Sequence, residues 1–108
     1  MDTRAFSKKQ ENKVAKIVKG KVVANSGATA FNKGDVRTDR ILIECKTCTK
    51  EKESFSIKKD WLIKNKDEAF AMRKDYSVLA FDFGDGKNYF IIDENLFKKL
   101  VNYIEEEN

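Results

Sequence analysis

The sequence contains no histidine and only two cysteines among 108 residues. Without His there is no Ser–His or Cys–His nucleophile and no His-based zinc site, which leaves carboxylates and lysines as the chemical actors. Two Cys three residues apart do not make a disulfide-stapled secreted fold, so an intracellular, cytoplasmic protein is expected. Cys45-x-x-Cys48 has neither the second Cys pair nor the His that a structural zinc requires. No apolar run approaches the roughly 18 residues of a membrane span, and Met1–Gln10 lacks a signal-peptide core, so no membrane association is expected. What the chain does have is 41% hydrophobic and 37% charged residues, with eight Phe to anchor a core. That composition suits one folded domain over residues 1–108, burying roughly 60–70% of its unfolded surface.

The net charge of +4 hides an asymmetry. Residues 1–66 carry 17 Lys and Arg against 8 Asp and Glu, and residues 67–108 carry 5 against 10. Such a split points to one basic face turned to a polyanion, the plainer reading being a solvated lysine surface. Ser7-Lys8-Lys9-Gln10 has the form of a capping box, which predicts a helix from Ser7 to about Val18, ended by Gly20. A short strand over Lys21–Asn25 and a turn at Ser26-Gly27 follow. A β-hairpin turning at Thr38-Asp39 joins Asp35–Arg37 to Arg40–Lys46. A second helix over Ser56–Arg73 precedes strands at Ser77–Phe83 and Asn88–Ile92, with Gly84-Asp85-Gly86 as their turn. The last helix starts near Asp93 and carries an apolar stripe of Leu96, Phe97, Leu100, Val101 and Ile104. Glu105–Glu107 oppose its dipole and predict fraying. The order αβββαββα makes a single α/β domain with a central mixed five-stranded sheet flanked by helices.

Two constellations carry possible chemistry. On the first helix Val14, Ala15 and Val18 fall at roughly −60°, +40° and −20° from Glu11, so this acid sits within the apolar stripe. A carboxylate aimed inward is costly unless a cation meets it; the plainer reading is a half-exposed Glu complementing the helix dipole. On the strands, alternation puts Glu44 and Lys46 on one face and Ile43 and Cys45 on the other. A turn at Thr38-Asp39 pairs Asp35 with Leu42 and sets it diagonal to Glu44, at roughly 7–8 Å. Two carboxylates and a lysine on one sheet face suit metal-assisted phosphodiester hydrolysis, in which oxygen ligands select Mg²⁺. An ordinary surface salt-bridge cluster is the alternative.

Gly34-Asp35 followed by Ile41-Leu42-Ile43-Glu44-Cys45-Lys46-Thr47 resembles the PD-(D/E)XK nuclease signature, with Gly34 in place of the proline. The helix with Glu11, then Asn25-Ser26-Gly27-Ala28, is more specifically similar to archaeal-type Holliday-junction resolvases, and the similarity of element order spans nearly the whole chain. The resemblance implies a restriction-endonuclease-like fold and a homodimer that cuts four-way DNA junctions with Mg²⁺, or Mn²⁺ in its place. It also implies a metal site of Glu11, Asp35 and Glu44, a catalytic lysine at Lys46, and Ser26 beside the scissile phosphate. Lys8, Lys9, Lys13, Lys33, Arg37 and Arg40 would hold flanking phosphates. The hairpin before Glu44 is short, leaving less surface to grip a branched junction. A restriction-like or nicking nuclease on duplex or flap DNA, and a non-catalytic basic DNA-binding module, are the rival readings.

Overall fold

The computed structural model describes residues 3–23 and 35–106. Helix α1 (Thr3–Val18) leads into strands β1 (Lys21–Val22), β2 (Val36–Arg37) and β3 (Ile41–Thr47). Helix α2 (Lys59–Ala71), strands β4 (Tyr76–Asp82) and β5 (Asn88–Ile91), and helix α3 (Glu94–Glu106) complete the chain. The five strands form one sheet in the order β1-β2-β3-β4-β5. All neighbours are antiparallel except β3 and β4, which run parallel because α2 crosses over between them. The α/β single domain with a five-stranded mixed sheet and three helices matches the order expected from the sequence.

Alternation along β3 decides what lies on each side of the sheet. Ile43 joins Val14 of α1, Val36, Val78 and Ala80 in the core under α1, with Cys45 packed against them. Glu44 and Lys46 face the other way, toward α2, where Lys46 lies over the Trp61 ring. An aromatic cluster of Phe55, Trp61, Phe81, Phe83 and Tyr89 fills that side at centroid spacings of 5.4 to 6.5 Å. Two buried amides tie the helices to the strands. Gln10 of α1 donates to the Lys46 carbonyl at 2.8 Å and to Asn88 Oδ1 at 3.0 Å, and Asn65 of α2 donates to the Val78 carbonyl at 3.1 Å.

The starts of α1 and α2 differ from the sequence reading. Ser7 is an exposed residue inside α1, which starts at Thr3, so the capping-box reading fails. Gly20 does follow the helix, but Lys19 takes the left-handed conformation (φ 56°). Gly20 is needed instead because a Cβ there would meet the Arg37 carbonyl at 2.4 Å. Helix α2 starts at Lys59 because Phe55 packs into the aromatic cluster and keeps the preceding segment out of the helix. Helix α3 extends to Glu106, and Glu107, the last of the acids expected to oppose its dipole, lies outside the described residues. The helix is capped by Asp93, whose Oδ1 accepts the Leu96 N–H at 2.9 Å. The expected turn at Ser26-Gly27 lies outside the described residues.

Candidate active site

The hairpin register sets the site. Val36 pairs with Ile43 and Arg37 with Leu42, so the turn sits at Asp39-Arg40, one residue later than Thr38-Asp39. Thr38 causes the shift. Its hydroxyl accepts the Ile41 N–H at 3.0 Å while its own N–H donates to the Ile41 carbonyl at 2.9 Å. Asp35 therefore does not pair with Leu42. Its N–H donates to the Ile43 carbonyl at 3.0 Å, and its Oδ2 accepts the Cys45 N–H at 2.8 Å. The Asp35 carboxylate thus caps a β3 amide at the fork where the described pairing of β2 with β3 ends. Asp35 sits in the fork, where the register sets it opposite Glu44 rather than diagonal to it, with Lys46 within electrostatic reach.

Electrostatics ties three acids together there. Burial pushes the Asp35 carboxyl above its usual range, against the opposing pull of the Cys45 N–H and of Lys46. Glu44 is raised by burial and by Asp35 and Glu68, while Lys46 and Lys64 draw it down. Glu11 is pushed up to about 7, first by burial and then by Asp35, with Lys8 acting in the opposite sense. Lys46 Nζ lies 4.0 Å from Glu44 Oε1, and Glu44 Oε2 is buried with no hydrogen-bond partner among the described residues. Buried carboxylates, two of them raised further by Asp35 and one with an orphaned oxygen, fit a divalent cation: added positive charge would relieve both the repulsion and the missing bond. Among the described residues no three Asp, Glu, Cys or His side chains form a set that could hold a metal ion. Asp35 and Glu44 are therefore the ligand pair on offer, and Glu11 joins them through charge.

The expected DNA-contacting residues fall into two groups. Lys8, Lys9 and Lys13 lie on α1; Lys9 and Lys13 line a cavity with Gln10, Thr47 and Asn88, and Lys13 donates to the Gly86 carbonyl. Arg37 and Arg40 stand at the other end of β3, in a groove shared with Lys19 and Lys21. Arg40 is already engaged, 2.6 Å from Asp75 and over the Tyr76 ring. Ser26 and Lys33 lie outside the described residues. Cys45 packs on the core face, and burial together with Asp35, Glu11, Glu44 and Asp82 pushes its thiol far up, which makes it a poor nucleophile or metal ligand.

Two residues that position the site were not foreseen. Gln10 holds the Lys46 backbone from the α1 side, and the Trp61 face, 4.5 Å from Lys46 Nζ, supports the ammonium from the α2 side. Gln10 could have been found as the neighbour of Glu11 at an inward helical angle; no spacing rule links Trp61 to Lys46. No protein-family model, curated protein or solved structure matches the chain.

Proposed function

We propose that this protein is a Mg²⁺-dependent, structure-selective DNA endonuclease of the PD-(D/E)XK type that resolves four-way junctions as a homodimer. The observation that carries the reading is the fork between β2 and β3, where Asp35, Glu44 and Lys46 meet with Glu11 alongside. Asp35 and Glu44 would hold the cation. When bound it supplies Lewis acidity toward the phosphate and lowers the pKa of a bound water. The remaining work falls to the chain. Lys46, held between the Gln10 amide behind its backbone and the Trp61 ring, presents a fixed positive charge where the phosphate becomes more negative. Glu11, with its carboxyl raised to about 7, can hold or release a proton near neutral pH at the edge of the same site. Lys8, Lys9 and Lys13 supply phosphate contacts that do not depend on base sequence. Two identical sites in a two-fold dimer suit the paired incisions that a junction requires.

The test is cleavage of a synthetic four-way junction against a linear duplex of the same sequence, in Mg²⁺, Mn²⁺, Ca²⁺ and EDTA. Cleavage of the junction with Mg²⁺ or Mn²⁺, little with Ca²⁺ and none in EDTA is expected, with DNA binding retained throughout. Undiminished cleavage in EDTA would reject the mechanism. Equal cleavage of the linear duplex would reject the junction preference and leave a general nuclease.

A further inference from the structure

Helix α3 has the most strongly segregated apolar face of the three helices, yet none of its residues is buried. Leu96 alone is packed against the core, while Phe97 is 59% exposed, Ile104 59% and Tyr103 70%, with Leu100 and Val101 also open. Such a face is expensive to leave in water. Phe97, Leu100, Val101, Tyr103 and Ile104 together offer on the order of 500 Å² of apolar surface, at roughly 150–250 Å² per fully exposed aromatic side chain. That lies near the top of the roughly 300–600 Å² found for the largest patch on a monomer. It also matches the apolar share, a little over half, of the roughly 800 Å² that each partner buries in a standard interface.

We infer that α3 pairs antiparallel with α3 of a second copy of this chain, about a two-fold axis between Leu100 and Val101. The stripe is self-complementary. An axis at that point sets Phe97 opposite the partner's Ile104, and Leu100 opposite the partner's Val101, so these four meet apolar partners while Tyr103 stands at the rim, level with the partner's Lys98. Charge agrees with the same register. Lys98 and Glu105 are seven residues apart and lie on one flank of the stripe, about 20° from each other. In a two-fold antiparallel pair equal flanks meet, and Lys98 comes within about 3 Å along the axis of the partner's Glu105, at about 1.5 Å per residue. Two such pairs form, one at each end, each offset in part by Glu94, which shares that flank and lies as near to the partner's Glu105. This gives an interface to the homodimer of the proposed resolvase, but α3 alone carries it, so the pairing and the nuclease chemistry can fail separately.

Sedimentation equilibrium on the whole chain tests the pairing, with circular dichroism to confirm that each variant is folded. Wild type should be a dimer. Leu100→Glu should weaken it by about 30-fold or more, the scale of an interface hot spot. Lys98→Glu should weaken it less, and adding Glu105→Lys to Lys98→Glu should restore it. The rival apolar sites are on α2, where Phe70 is 84% exposed and Ile63 49%. A monomeric wild type at high micromolar concentration overturns the inference. So does a dimer that survives Leu100→Glu but is lost in Phe70→Glu, and so does a charge swap that fails to rescue. A monomer that still cleaves junctions would refute the pairing and spare the nuclease. A dimer dissolved by Leu100→Glu but inert on DNA with Mg²⁺ would do the reverse.

Discussion

Helices α1 and α3 are of similar length, 16 and 13 residues, and the sheet treats them in opposite ways. The apolar stripe of α1 is poor and interrupted by Gln10 and Glu11, yet this helix packs across β1, β2 and β3 and buries Val14 completely. The stripe of α3 is clean and stays uncovered. Amphipathicity therefore says that a face needs cover, and the rest of the chain decides whether cover is supplied from within. The interruptions are also informative. Where α1 gives up apolar residues it gains the amide behind Lys46 and the acid beside Asp35, which is where local pattern and function are expected to conflict.

If that contrast is sound, changes in the layer between α1 and the sheet should reach the chemistry or the core, and changes on α3 beyond Leu96 should reach neither in the monomer. The largest effect is expected at Glu44. Glu44→Gln should abolish single-turnover cleavage while melting at or above the wild-type temperature, since it removes a half-buried charge with little change in shape. Asp35→Asn should also abolish cleavage, but its amide must still accept the Cys45 N–H for the fork to hold. A Glu44→Gln protein that cuts at the wild-type rate would reduce the chain to a basic binding domain. Next is Lys46→Ala, with a rate loss of about 10²–10³, the cost of one preorganised charge. Metal affinity, read by calorimetry with Mn²⁺, should persist.

Stability divides the two helices further. Val14→Ala should cost about 2 kcal/mol in urea unfolding, because it empties a fully enclosed site. Ile104→Ala, measured at a dilution that keeps the chain monomeric, should stay within about 0.5 kcal/mol. Equal costs would mean that α3 is covered by its own chain after all. The smallest effect concerns Glu11. An ordinary Glu ionises near 4.5 in the unfolded chain, whereas the folded protein keeps this proton up to about 7. Between those values the folded state binds more protons, so stability falls as pH rises through the window and levels off above it. Glu11→Gln should therefore gain on wild type from pH 4.5 to 7. After the discount that solvent screening imposes on a half-exposed group, the gain is about 1 kcal/mol. A difference in melting temperature that does not change with pH would contradict the burial of this carboxyl.

Element order was legible because each strand and helix carries its own period and most breaks fall at glycine, Asn or Asp. The partition of β3 into Ile43 and Cys45 against Glu44 and Lys46 was legible for the same reason, since alternation is a property of the strand alone. The hairpin register was less so. Thr38 moved the turn by one residue through its hydroxyl, an interaction that strand patterns do not encode, and this changed the partner of Asp35 while leaving the acid beside Glu44. The start of α2 is not legible because what keeps residues 56–58 out of the helix is Phe55 docking on side chains more than twenty residues away. Gln10 and Trp61 depend on the same kind of distant encounter. The α3 stripe was plain in the sequence, but whether the chain itself covers that face depends on packing between elements.

The Asp35 bond to the Cys45 amide makes one proton a reporter on the whole site. That amide lies in the middle of β3, yet what shields it is a titratable group and not a neighbouring strand. Anything that draws the Asp35 carboxylate away, such as acid or a competing cation, should expose this amide and leave those around it protected. Its nitrogen-15 resonance should shift on titration with Mg²⁺, and its hydrogen exchange should accelerate. The occupancy of the fork could then be followed residue by residue without any DNA present.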